Sequence, residues 1–114
     1  MRQIEVEYYG KKIVLSEATT AMSIKRELLR STPVTDGAVE ERIAGNMFYP
    51  DIMACVVAQD GWQEWPPTVE QFVNDWPARL TDALRDTVYE LNPHWWPNYT
   101  EEEVKKKELT QPTG

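Results

Sequence analysis

The sequence predicts an α+β, mainly α, fold: an N-terminal β-hairpin followed by a compact bundle of about four to five short helices. Three observations carry this. Strict alternation of apolar and polar residues is confined to the start of the chain. From residue 18 onward apolar residues recur every three or four positions, the period of an amphipathic helix. Pro- and Gly-containing breaks then cut that periodic stretch into short pieces.

Ile4, Val6 and Tyr8 alternate with Glu5, Glu7 and Tyr9, the period of a half-buried strand. Gly10-Lys11 reads as a two-residue turn, and Ile13, Val14 and Leu15 form the second strand, giving a hairpin over 3–15. Two strands alone are marginal in water, so the hairpin must pack on helices or join further strands, including those of another copy. A helix is expected over Ala18 to Arg30, capped by Ser16, Thr19 or Thr20, with Ala21, Ile24 and Leu28 on one face and Met22 and Leu29 beside them. After a turn-rich connector, a second helix starts near Ala38 with Val39, Ile43 and Met47 spaced by four. Pro50, lacking an amide donor, either kinks it or opens another helix, whose apolar series runs on through Val56 and Val57 to Asp60-Gly61.

Thr68 with Gln71 three residues later has the form of a capping box. Val69, Phe72, Val73 and Trp76 follow on one helical face. Pro77 suits the start of the next helix, which carries Leu80, Leu84, Val88 and Leu91 inward until Asn92-Pro93 stops it. Residues 1–99 thus form a single globular domain, its helical part over 18–99. Thr100 with Glu103 heads a charged helix and a loose tail over 100–114, where Glu101, Glu102 and Glu103 each face a Lys four residues on.

Hydrophobic content of 41% and aromatic content of 11% argue against disorder across most of the chain. At 114 residues, roughly two-thirds of the unfolded surface is buried on folding, enough for a core. The net charge of −7 is uneven. Residues 1–31 carry six bases against four acids, residues 32–100 three against eleven, and residues 101–114 three against four. An acidic middle repels phosphate backbones and disfavours direct nucleic-acid binding. It suits docking to a basic partner. A single cysteine, Cys55, permits no intrachain disulfide and fits a reducing compartment. The sequence opens without an apolar leader, and its longest apolar run, Ile52 to Ala58, is too short to span a bilayer. A cytoplasmic protein without membrane contact is the expectation, and the Asn98-Tyr99-Thr100 sequon then has no glycosylating compartment.

Catalytic chemistry has little footing. Cys55 lies in an apolar helical stretch that raises a thiol pKa, and the only histidine, His94, lies between Pro93 and Trp95 in a loop. No paired-ligand spacing for zinc and no glycine-rich phosphate loop occurs. Asp82, Asp86 and Glu90 share a helical face, an arrangement that ordinarily faces solvent. No catalytic residue, metal or cofactor is therefore expected. The unusual content is aromatic: five Trp, all beyond Gly61. Trp76 belongs by periodicity to the core. Trp62 and Trp65, in a Pro-bounded loop, and the adjacent Trp95 and Trp96 are the candidate partner contacts, because large rigid aromatics anchor interfaces. Adjacent residues cannot both point inward from a regular element, so one of Trp95 and Trp96 is expected outside.

The order of segments resembles that of the tail assembly chaperones of long-tailed bacteriophages. The stretches that carry the likeness are Ile4-Glu5-Val6-Glu7-Tyr8-Tyr9-Gly10-Lys11-Lys12-Ile13-Val14-Leu15 with its following helix and Tyr49-Pro50-Asp51-Ile52-Met53-Ala54-Cys55. A Thr-led helix from Thr68 to Phe72, then Leu84 to Leu91 ending in Asn92-Pro93, complete an arrangement covering residues 3–97. The resemblance implies a small, mainly helical protein of the host cytoplasm, without catalytic residues or cofactors. It implies binding to the tape measure protein and help in recruiting tail-tube protein. The rival reading is an acidic inhibitor or nucleic-acid mimic occupying a basic protein surface.

Overall fold

The computed structural model describes residues 1–96. The charged segment over 100–114, its capping box and the sequon lie outside the described residues. About half of the described chain is helical, 52% against 18% strand, so the fold is α+β and mainly α.

Strands β1 (Gln3–Tyr8) and β2 (Lys11–Ser16) form the expected hairpin, paired antiparallel from Gln3 with Ser16 to Tyr8 with Lys11. That register makes Tyr9-Gly10, not Gly10-Lys11, the turn. Both residues hold positive φ, 46° and 79°, which is the type I′ geometry whose twist matches a two-residue hairpin. Glycine at the second position tolerates this readily, whereas Tyr9 is held there by the hairpin.

Helix α1 (Thr20–Arg30) starts on Thr19, whose hydroxyl accepts from the Met22 amide at 3.2 Å. Helices α2 (Val39–Met47) and α3 (Tyr49–Cys55) meet at Phe48, and Pro50 opens α3 rather than kinking α2. Here the structure corrects the expectation of a helix running to Asp60. The chain turns extended after Cys55, and β3 (Val56–Asp60) pairs antiparallel with the free edge of β2, giving the order β1-β2-β3. Val56 and Val57 are β-branched and accept an extended conformation readily, and β2 offers an open row of backbone donors and acceptors. A register shift between Val14 and Leu15 accommodates the join.

Helix α4 (Val69–Asn74) carries the expected capping box: Thr68 accepts from the Gln71 amide and the Gln71 side chain accepts from the Thr68 amide. Helix α5 (Ala78–Leu91) buries Leu80, Leu84, Val88 and Leu91. These close over Ile13 and Leu15 of the sheet, Ile52 to Cys55 of α3, and Phe72. Asn92 ends α5 from within the core. Its side-chain Oδ1 accepts from the Ala18 amide at 2.8 Å, and its side-chain Nδ2 donates to Val88 O at 3.2 Å, tying the start of α1 to the end of α5. A single 3₁₀ turn, Pro93–Trp95, follows.

The periodic apolar residues of the first two helices lie on outer faces. On α1, Ile24 and Leu28 are 55% and 65% exposed, and the helix instead turns Arg26, Leu29 and Arg30 towards the body. On α2, Val39, Ile43 and Met47 are all exposed. The reason on α1 is a buried acid: Asp51 of α3, 1% exposed, draws both arginines beneath the helix and rotates the aliphatic side chains outward.

Candidate functional site

The tryptophans divide into three environments. Trp62, Trp65 and Trp76 assemble into one cluster, with ring centroids 5.9 Å (Trp62–Trp65), 5.3 Å (Trp62–Trp76) and 5.9 Å (Trp65–Trp76) apart, and Phe72 lies 5.4 Å from Trp76. All three are half-buried against the core, and the Lys11 ammonium sits 5.3 Å from the Trp62 ring. The loop carrying Trp62 and Trp65 is therefore folded onto the molecule, and Tyr49 fixes its end by donating to the carbonyl of Pro67. Trp95 is 5% exposed; its ring lies in the core beneath the Arg26 guanidinium, 4.5 Å away, and offers no surface to a partner. Trp96 points out, 38% exposed, with its ring edge-on to Tyr89 at 5.0 Å. Of the four candidate contacts Trp96 is the most open, while the half-buried Trp62 lines a separate hollow of about 350 Å³ with Tyr8, Tyr9, Lys11 and Trp76.

Trp96 lines a groove of about 500 Å³ together with Arg30 of α1, Asn46 and Met47 of α2, Phe48, and Arg85 and Tyr89 of α5. Met47 belongs both to this groove and to the exposed Val39–Ile43–Met47 stripe, so the open apolar surface of α2 runs into it. A smaller cleft of about 250 Å³ lies between α2, α4 and α5, floored by Ala44, Ile52, Phe72, Val73 and Trp76, with Glu40, Asp82 and Arg85 also on its walls. Phe48 and Arg85 line both hollows, and the Arg85 guanidinium lies 4.9 Å over the Phe48 ring. Arg85 on Phe48 is thus the partition between them.

Behind the groove, Asp51 accepts from Arg26 Nε at 2.6 Å, from Arg30 at 3.1 and 3.3 Å, and from the Tyr89 hydroxyl at 2.7 Å. This knot fixes three elements around one charge. Burial, then donation to Asp51, pushes the Tyr89 phenol pKa well up. Arg30 Nε is buried without a hydrogen-bond partner among the described residues. Sequence reasoning missed the knot, because Arg26, Arg30, Asp51 and Tyr89 have no common spacing. It also missed the groove, built from four separate segments.

Reactive side chains lie elsewhere. Cys55 is fully buried, and burial, followed by the Asp51 charge, pushes its thiol up to about 12. Asn92 Nδ2, 3.5 Å from its sulfur, is its polar neighbour, while His94 lies on the exposed 3₁₀ turn. Asp82, Asp86 and Glu90 face solvent, Asp82 lying 3.6 Å from Arg85 and Glu90 2.9 Å from Arg2. What the surface assembles is apolar area with adjacent cations, suited to gripping another chain. Among the described residues no helix is long and apolar enough to cross a membrane.

Comparison with protein-family models, curated proteins and solved structures finds no match.

Proposed function

We propose that this protein is a non-enzymatic assembly chaperone of long-tailed phage tails, acting in the host cytoplasm. It binds the tape measure protein and aids recruitment of tail-tube protein. The observation that carries the reading is the pair of solvent-facing aliphatic stripes, Ile24 and Leu28 on α1 and Val39, Ile43 and Met47 on α2. Aliphatic residues repeated every four positions on an open helix face are the form of a surface that receives an apolar helix. Such a face is costly to leave in water and marks an interaction site. A long apolar helical client suits it, and the −7 charge keeps the carrier soluble while the face is open. The resemblance in segment order to the tail assembly chaperones supplies the identity of the client.

The test is co-expression with the tape measure protein of a long-tailed phage, followed by affinity capture. The expected result is co-purification that falls by at least about tenfold, roughly 1.4 kcal/mol, for Ile24→Lys with Ile43→Lys. As both positions are exposed, circular dichroism of that variant should remain native. Capture unchanged in the folded double variant, or no capture by the parent chain, removes the reading.

A further inference from the structure

We infer that the two hollows flanking Arg85 receive one segment of a partner protein, in which a carboxylate lies between two large apolar side chains. One apolar anchor enters the groove of Met47, Phe48, Tyr89 and Trp96, the other enters the cleft over Phe72 and Trp76, and the carboxylate meets Arg85 on the wall between them. This rests on the reading that the protein grips an exposed stretch of another protein; it names the chemistry of that stretch.

Charge complementarity selects the occupant. The chain carries −7, yet the larger groove is lined by two cations, Arg30 and Arg85, and by no acid. Arg30 is tied to Asp51, which it shares with Arg26, and Glu27 stands 3.4 Å from Arg26, so the cation left for a partner is chiefly Arg85. Asp82 is 3.6 Å from Arg85 and 62% exposed, a loose solvent-screened pair that a closer carboxylate can displace. The Arg85 guanidinium lies 4.9 Å over the Phe48 ring, and its planar fork of donors is the geometry that takes a carboxylate. Each side of it offers apolar side chains, Met47 and Trp96 in the groove and Phe72 and Trp76 in the cleft. Glu40 and Asp82 line only the smaller cleft, so the acid of the partner segment approaches Arg85 from the larger groove.

The experiment is selection from a displayed library of random peptides of about sixteen residues, long enough for anchors four and seven positions apart, against the full-length chain. The expected enrichment is an Asp or Glu between two of Leu, Ile, Met, Phe or Trp. Replacing that acid by Lys in the strongest synthetic peptide should weaken binding by at least about tenfold. Arg85→Glu should reverse the preference towards the Lys peptide, and Arg85→Gln should abolish it without reversal. Enriched peptides lacking the acid, an unchanged preference in Arg85→Glu, or no enrichment each overturn the proposal. So does a dimer in sedimentation that Arg85→Glu dissociates, which would give the groove to a second copy. Enrichment that appears only after Glu101, Glu102 and Glu103 are changed to Ser would give it to this chain's own acidic segment. Tape measure capture lost in the Ile24→Lys, Ile43→Lys variant but indifferent to Arg85 would leave the chaperone reading standing and remove this one. Arg85-dependent binding of acidic peptides without tape measure capture would do the converse.

Discussion

Asp51 is a single carboxylate shared by two guanidiniums and a phenol, 1% exposed and placed on the third helix rather than on the surface. A buried ion pair is weak evidence for net stability, because desolvation offsets most of the attraction. Breaking one is another matter. Asp51→Asn leaves Arg26, only 13% exposed along its side chain, without its closest anion. The expected loss is about 3–5 kcal/mol in urea unfolding, with Tyr89→Phe losing about 1.5–3 kcal/mol because only one donor to the charge goes. A loss in Asp51→Asn no larger than in Tyr89→Phe would show that the charge contributes no more than one of its hydrogen bonds. The neighbouring tryptophans teach a related lesson. Their adjacency allowed only one of Trp95 and Trp96 to face inward, but nothing in the sequence said which. Arg26, stacked on Trp95 while bonded to Asp51, decides it.

At the scale of elements, α2 shows how close packing constrains a helix whose outer face is open. Gly45 lies in mid-helix, where glycine costs about 1 kcal/mol relative to Ala. A Cβ there would stand 2.5 Å from Val34 Cγ2 and 3.2 Å from Val69 Cγ1. Val34 cannot retreat easily, since Asn46 accepts from its amide at 2.8 Å and donates to its carbonyl at 3.2 Å. Gly45→Ala is therefore expected to lower stability by about 1–3 kcal/mol despite its better helix propensity. A melting temperature raised by the substitution would refute the close-packing account. The same elements mark what the sequence could and could not say. The last long helix was legible because Leu80, Leu84, Val88 and Leu91 repeat with its period, and the fourth because Thr68 and Gln71 cap it. The third strand was not, because Val56 and Val57 extend the apolar run of the helix before them. Only the open edge of the second strand converts that run into sheet. The outward direction of the first two helices' apolar faces was not legible for a general reason: aliphatic residues every four positions look alike whether they pack inward or await a partner.

For the molecule as a whole, three neutral acids held up by burial, Cys55, Tyr49 and Tyr89, contribute to the response to alkali. Cys55 moves from an ordinary 9.0 up to about 12, and the Tyr89 phenol is raised from 10.0. Each holds its proton in the folded state at a pH where the unfolded chain has lost it. Stability from these groups is therefore full below about pH 9 and falls as pH rises through the window to about 12, by about 1.4 kcal/mol per pH unit for each group in its window. Urea midpoints measured at about pH 8 and about pH 11 should show the drop, and Cys55→Ala, though less stable at the lower pH, should show a shallower one. An equal slope in both proteins would mean that the thiol ionises as freely in the folded state as in the unfolded.

The strand order has a consequence in time. The central strand is complete at Ser16, but the strand that covers its second edge ends at Asp60, 44 residues later. At roughly 5–20 residues per second of synthesis, that edge waits roughly two to nine seconds for its neighbour, and longer for the helix that buries Ile13 and Leu15. During that interval the nascent chain carries a row of unpaired backbone groups beside the apolar Ile13-Val14-Leu15. Its greatest hazard of misassociation therefore falls on the ribosome, governed by the pace of translation rather than by the stability of the finished fold.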